Sequence, residues 1–323
     1  METAEDREQS ASRSLNESGA VASSLSAVAD AGRRLTPQMS DGTCGSCGAA
    51  AATADDINGA ATKAPPSYIF AVGRIEMRFP SLAVEKEFAQ ATGRADTAGL
   101  TDREAVQAVL SERNNRYIAR QVCWVLSIEG LETYILIPRD PADFELLLEA
   151  VRATPSPVDI DVVVGMRGPM APPEMCNGLV VPVVVFDQIY SFDRDALVKA
   201  IPRPETIAAR QDKQFRTAAA ELFDRIIQIA DNAGATDEHR ALNYLAVRYP
   251  AIYALATEAY GRNSSLTAVE SRPSRLSGVR KVVDVIFSFT NRETDVTEKY
   301  FVRVDVTEEF PFLVTKMSTY YDR

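Results

Sequence analysis

Four cysteines carry the clearest chemical signal in the sequence, and they are Cys44, Cys47, Cys123 and Cys176. The first two form a C-x-x-C pair, whereas the other two stand alone in the chain. Four thiolates are the number that a closed structural zinc site requires. We therefore expect these four cysteines to bind one structural Zn²⁺ ion.

Two alternatives explain the same cysteines without a metal. Cys123 and Cys176 could be small buried residues, with Cys44 and Cys47 forming a solvent-exposed dithiol. A redox pair of the thioredoxin type needs a strand before the C-x-x-C motif and a helix after it, and the sequence predicts neither. The spacing alone does not decide between a zinc site and buried thiols.

The elements around the two single cysteines favour accessible sulfur atoms. In a strand predicted over residues 117–128, alternate residues including Trp124 form an apolar face, so Cys123 lies on the opposite face. Cys176 ends a loop over residues 168–178 that contains three prolines and the turn-forming pair Asn-Gly. Loops of this kind often hold ligands.

Two other groups of residues could take part in chemistry. His239 is the one histidine of the chain and follows Asp237 and Glu238, so it is a candidate general base or metal ligand. A solvated histidine in the first turn of a helix is the explanation that we favour. The basic run 272–281 contains four cations that could clamp a carboxylate or a phosphate, or could simply form a solvated loop.

Composition and charge narrow the functional classes. The 323 residues carry a net charge of −10, which argues against nucleic acid as a partner. No apolar run is long enough to cross a bilayer, so we expect no membrane partner. The acidic start of the chain is unlike a secretory signal, and we expect a cytoplasmic protein.

Aromatic residues divide the chain into two regions. None lies before Tyr68, and the segment 1–66 is rich in small and polar residues. We expect residues 1–66 to be a largely disordered tail that carries the C-x-x-C motif, and such a tail could itself recognise a partner. Residues 67–323 have the length and apolar content of a folded domain.

The periodicity of this domain predicts an α+β fold with a mixed or mainly antiparallel sheet and with helices in the middle of the chain. Turn residues at 129–130 and 291–295 predict two hairpins, whose free edges leave a homodimer as an open alternative. Strands are predicted over residues 68–76, 117–128, 132–137, 159–164, 180–186, 281–290 and 299–306. Helices are predicted over residues 81–90, 101–112, 215–230, 237–247 and 251–260, and another begins at Asp140-Pro141.

Several long runs resemble the C-terminal domain of PatG-type cyanobactin maturation proteases. These runs are residues 79–88, 168–179, 230–240, 272–281 and 283–321. Relatives of this type carry a subtilisin-like protease domain, which we expect to be missing here because the chain has a single histidine and no serine nucleophile motif. The resemblance also implies zinc held by the four cysteines.

The resemblance implies a role in the maturation of ribosomal peptides. Our main hypothesis is a non-catalytic, zinc-stabilised accessory domain that recognises a precursor peptide or a peptide-modifying enzyme. The alternative is an enzyme that acts on a precursor peptide through an open metal site or through His239. A zinc ion with four cysteine ligands has no open position for water, which favours the first hypothesis.

Overall fold

The computed structural model describes residues 67–94, 102–152, 154, 156, 158–193, 195–197, 212–229 and 231–321. The predictions made for the segment 1–66, including those for Cys44 and Cys47, lie outside the described residues. The α+β prediction is confirmed, since the described part contains a mixed sheet, an antiparallel sheet and several helices.

The strands and helices are numbered in chain order. The strands are β1 (Tyr68–Arg78), β2 (Cys123–Ile128), β3 (Leu131–Pro138), β4 (Asp159–Met170), β5 (Pro182–Asp193), β6 (Ser264–Pro273), β7 (Val282–Asn291), β8 (Thr297–Asp305) and β9 (Phe312–Thr319). The helices are α1 (Leu82–Arg94), α2 (Asp102–Ser111), α3 (Arg116–Ala119), α4 (Phe144–Ala150), α5 (Asp212–Ile227), α6 (Asp237–Arg248) and α7 (Ala251–Gly261).

Strands β1 to β5 form a closed barrel in the order β1-β2-β3-β5-β4. Strands β3 and β5 pair in parallel, and the other pairs are antiparallel. This order, with helix α4 between β3 and β4, is that of a five-stranded Greek-key barrel of the OB type. Apolar side chains from alternate strand positions, among them Trp124, Leu126 and Val163, fill the interior.

Strand β1 closes the barrel because its two halves pair with different strands. Its first half pairs with β4 and its second half with β2, and the change occurs at Gly73 and Arg74. A Cβ atom on Gly73 would lie 2.4 Å from the carbonyl oxygen of Ser127, so only glycine fits there. The Asp161 carboxylate accepts hydrogen bonds from the backbone N–H of Ile75 at 2.7 Å and from the Ser191 hydroxyl at 2.6 Å. This buried carboxylate therefore holds β1 close to the point where its pairing partner changes.

The second sheet is antiparallel, with the order β6-β7-β8-β9. Helices α5, α6 and α7 cover one face of this sheet, and their apolar residues form one core with residues such as Val285, Phe287 and Val302. Strands β6 and β9 are the edges of the sheet. That a second copy covers such an edge stays a prediction.

The helix layer also packs against the outside of the barrel. Phe70, Val72, Val162 and Val164 form an apolar stripe on β1 and β4, and side chains of α5 and α6 cover it. Within this contact the Asn243 side-chain amide donates to the carbonyl of Phe70 at 2.8 Å. The barrel, the helices and the second sheet therefore form three successive layers.

Most sequence-predicted elements are confirmed, but the strand predicted over residues 117–128 is wrong in its first half. Residues Arg116–Ala119 form a helical turn, and the strand begins only at Cys123. Ile118 and Val122 are four residues apart, which satisfies the helical period as well as the strand period. Both side chains reach the barrel core, as a strand would also have placed them.

In the part of the chain that the structure describes, no helix has the length and apolar character needed to cross a lipid bilayer.

Candidate functional site

The structure brings together two of the four cysteines that the sequence singles out. Cys123 begins β2 on the outer face of the barrel, and Cys176 lies in the connection between β4 and β5. Their Cα atoms are 6.0 Å apart across a separation of 53 residues, and their sulfur atoms are bonded as a disulfide. The prediction that Cys123 points away from the apolar barrel interior agrees with its place in a separate cluster.

The segment 171–181, which we call the strap, folds over the outer face of β2 and β3. The backbone N–H of Ala171 donates to the carbonyl of Val181 at 2.8 Å and closes the base of the strap. Near its tip, Asn177 and Gly178 have φ angles of 45° and 84°, as the predicted Asn-Gly turn requires. The strap buries an apolar cluster made of Cys123, Val125, Ile135, Ala171, Cys176 and Val183.

The two buried sulfur atoms could provide half of the ligands of a zinc site. Cys123 is 7% exposed and Cys176 is 0% exposed, and as reduced thiolates they could supply two of the four sulfur ligands of a zinc ion. Within the described ranges, no group of three or more cysteine, histidine or acidic residues gathers at one point. Any further ligands would therefore have to come from outside the described residues, and Cys44 and Cys47 lie in that part of the chain.

A cavity of about 450 Å³ opens beside Cys123, and we call it the β2–β3 cavity. Its walls come from the end of the β1–β2 connection, from β2, from β3, from the β3–α4 connection with the start of α4, and from Met175 of the strap. In OB-type barrels the face of β2 and β3, together with the loops after β1 and β4, is where ligands bind. The lining residues are Arg120, Gln121, Val122, Cys123, Trp124, Ile135, Leu136, Ile137, Pro138, Arg139, Pro141, Phe144 and Met175.

Two arginines line the cavity, and their surroundings differ. Arg139 pairs with Asp187 at 2.7 Å and with Glu309 at 3.5 Å. Arg120 is exposed, and its guanidinium carbon lies 6.0 Å from the centre of the Phe144 ring. Among the described residues, no carboxylate lies within ion-pair distance of Arg120.

Asp187 and Glu309 form a carboxyl pair where the barrel meets the β8–β9 connection. Burial raises the pKa of Glu309 to about 7, and the hydrogen bond with Asp187 adds to this shift. Arg139 opposes the shift but does not cancel it. Glu309 can therefore hold a proton near neutral pH at this junction.

The comparisons with known proteins fit this architecture. A family model described as "PatG C-terminal" matches residues 209–320. Residues 209–320 therefore form a PatG C-terminal-type domain. The solved structure "PatG Domain of Unknown Function" is similar to the chain at 22% identity with a TM-score of 0.65, and the similarity covers 79% of this chain and 98% of that one. No curated protein matches the chain.

Within the PatG C-terminal-type domain, His239 lies in the first turn of α6, as predicted. Its backbone N–H donates to the Thr236 hydroxyl at 3.1 Å, which caps the helix. Burial lowers the pKa of His239. The Asp237 carboxylate pairs with Lys281 at 3.3 Å and with Arg240 at 3.6 Å, so it binds cations and does not orient the imidazole as a triad would require.

The basic run 272–281 of this domain uses most of its cations internally. Arg272 stacks on the ring of Tyr320 at 5.2 Å, and Arg280 pairs with Asp305 at 2.5 Å. Together with the Lys281–Asp237 pair, these contacts account for three of the four cations. The run therefore binds groups of its own domain and offers little to an external anion.

Sequence reasoning did not find the β2–β3 cavity. Arg120, Trp124 and Phe144 come from a connection, a strand and a helix, and no spacing pattern relates them. The Asp187–Glu309 pair was missed for the same reason, because its members are far apart in the sequence. One feature of the sequence could have pointed to the cavity, namely that Trp124, which lines it, is the one tryptophan in the chain.

Proposed function

We propose that the chain is a non-catalytic accessory domain of a cyanobactin-type pathway, stabilised by zinc and binding a precursor peptide. The observation that carries the proposal is the meeting of Cys123 and Cys176 beside the β2–β3 cavity, on the barrel face where OB-type barrels bind ligands. The match of residues 209–320 to the PatG C-terminal family supports the choice of pathway.

In this proposal Cys44, Cys47, Cys123 and Cys176 bind one structural Zn²⁺ ion. The ion links the C-x-x-C segment to the start of β2 and to the strap, and its binding energy adds to the stability of the fold. The proposal requires all four sulfur atoms to be thiolates, so the bond between Cys123 and Cys176 must be open. A cytoplasmic location, which we also propose, keeps thiols reduced.

The zinc content and the thiol count of the purified protein test this part of the proposal. We expect one zinc per chain and four titratable thiols after unfolding without reductant. The Cys123→Ser variant should lose zinc, whereas Val125→Ala, which removes neighbouring apolar contacts beneath the same strap, should keep it. Two titratable thiols and no zinc would mean that the Cys123–Cys176 disulfide persists, and this part of the proposal would then be wrong.

Titration of a labelled precursor peptide tests the recognition role. We expect saturable binding measured by fluorescence anisotropy and an unchanged peptide mass after long incubation. A change in peptide mass that disappears in the His239→Ala variant would instead support the enzyme hypothesis. Absence of any binding by the zinc-loaded protein would contradict the recognition role.

A further inference from the structure

The β2–β3 cavity combines apolar walls with a cation at its edge. Side chains including Val122, Leu136, Pro138 and Phe144 form the walls, and no acidic residue is among the described residues that line it. The volume of about 450 Å³ lies within the range of small-ligand sites. Such a cavity favours a ligand that is mostly apolar and carries one negative charge.

The two arginines of the cavity are not equivalent. Asp187 and Glu309 neutralise Arg139, whereas Arg120 lacks a carboxylate partner in the described part of the chain. The Arg120 guanidinium also lies against the face of Phe144, which keeps it next to the apolar wall. An incoming carboxylate would therefore find a cation already positioned beside an apolar surface.

We propose that the β2–β3 cavity binds the C-terminus of a peptide that ends in apolar residues, with the terminal α-carboxylate on Arg120. An α-carboxylate places its charge directly beside the last side chain, which matches the short distance between Arg120 and the apolar wall. An acidic side chain would bring no apolar group of its own, and a phosphate would need several donors. This inference rests on the proposed function only for the identity of the peptide.

Trp124 provides the measurement, because it lines the cavity and is the single tryptophan of the chain. The probes are an acetylated Ala-Ala-Leu tripeptide as the free acid and the same tripeptide as the C-terminal amide. We expect the acid to change the emission of Trp124 saturably and the amide to bind at least tenfold more weakly. Equal affinities for acid and amide would overturn the inference.

Matched variants assign the carboxylate to Arg120. The Arg120→Gln variant should remove the preference for the acid, whereas Arg113→Gln, an exposed cation outside the cavity lining, should retain it. An unchanged preference in Arg120→Gln would overturn the assignment. Should Arg120→Gln fail to fold, the wild-type protein still gives a test, since added salt should weaken binding of the acid and leave binding of the amide unchanged.

Two further measurements are needed. One distinguishes a peptide from a fatty acid as the ligand, and the other distinguishes failure of this inference from failure of the proposed function. Decanoate binding more tightly than the tripeptide acid would identify a fatty acid as the ligand and would overturn the peptide assignment. Precursor binding that Arg120→Gln leaves unchanged would refute this inference and keep the proposed function. Binding of the tripeptide acid without binding of the precursor would refute the proposed function and keep this inference.

Discussion

At the scale of single residues, Arg240 connects distant parts of the chain. It is 2% exposed, and its guanidinium lies over the ring of Tyr68, at the start of the barrel, at 5.4 Å. It also donates to the carbonyl of Val306 at 2.7 Å and to those of Glu308 and Glu309. These carbonyls follow β8, so one side chain holds the end of the second sheet near the barrel.

Replacing Arg240 with methionine should destabilise the fold by about 3 kcal/mol, because buried carbonyls lose their donors. The matched control is Arg275→Met, an exposed cation in the basic run, which should change the free energy of unfolding by less than about 0.5 kcal/mol. Chemical denaturation followed by circular dichroism measures both. A loss of similar size in the two variants would show that the buried contacts of Arg240 contribute nothing particular.

The outward position of Cys123 could be predicted at this scale, whereas the role of Arg240 could not. Alternation along a strand is a local rule, so the apolar neighbours of Cys123 in the sequence fix its side of β2. The acceptors of Arg240 lie 66 to 69 residues away along the chain. No periodicity relates a buried cation to backbone carbonyls at such a distance, and only the folded chain brings them together.

At the scale of elements, the connection before α6 approaches β1 closely at Gly234. This glycine has a φ of +67°, and its carbonyl accepts the backbone N–H of Phe70 at 2.9 Å. A Cβ atom on Gly234 would lie 2.4 Å from the carbonyl oxygen of Phe70. Gly93 near the end of α1 has no atom within 4 Å of an added Cβ.

These two glycines give opposite predictions for the same substitution. Gly234→Ala should destabilise the protein by about 2 kcal/mol or more, since both the positive φ and the close backbone oppose a side chain. Gly93→Ala should stabilise it by roughly 0.5 kcal/mol through helix propensity. Thermal and urea unfolding of the two variants measure the difference, and equal effects would contradict the role given to Gly234.

Burial of the individual strands explains which of them could be predicted from the sequence. The central strand β7 is buried along most of its length, and its apolar run was recognised. The edge strands β6 and β9 expose about half of their residues and contain many polar side chains, so no clear period marks them. Their strand structure depends on backbone pairing with β7 and β8, which local patterns do not encode.

At the scale of the whole molecule, the Asp187–Glu309 pair makes stability depend on pH. The pKa of Glu309 is about 7 in the folded chain and 4.5 in the absence of its neighbours. Between these values the folded state holds a proton that the unfolded state has released, so this contribution to stability is complete below about pH 4.5 and is lost as the pH rises to about 7. Asp187, Arg139 and Arg240 are the charged groups that act on Glu309.

The Glu309→Gln variant should remove this pH dependence. We expect its free energy of unfolding to fall less than that of the wild type between about pH 4.5 and 7, because glutamine keeps a hydrogen-bond donor for Asp187 and carries no titrating proton. The control is Glu174→Gln, an exposed residue of the strap, which should follow the wild-type curve. Parallel curves for wild type and Glu309→Gln would contradict the raised pKa of Glu309.

The helix layer packs on both the barrel and the second sheet, and we expect the described part of the chain to unfold cooperatively. Trp124 emission reports on the barrel, whereas far-ultraviolet circular dichroism is dominated by the helices. The urea midpoints of the two signals should coincide, because α5 and α6 contribute to the cores on both of their sides. Separate midpoints would mean that the barrel and the helix-covered sheet unfold independently.

The apolar stripe on β1 and β4 has a consequence for biosynthesis. A ribosome that has released the chain as far as Asp193 has delivered every barrel strand, yet α5 and α6, which cover Phe70, Val72, Val162 and Val164, are still to be translated. Until then the apolar stripe of the nascent barrel is exposed to solvent and prone to aggregation. Slow codons or ribosome stalling between the codons for Asp193 and the end of α6 should therefore increase chaperone binding to the nascent chain or its aggregation in inclusion bodies.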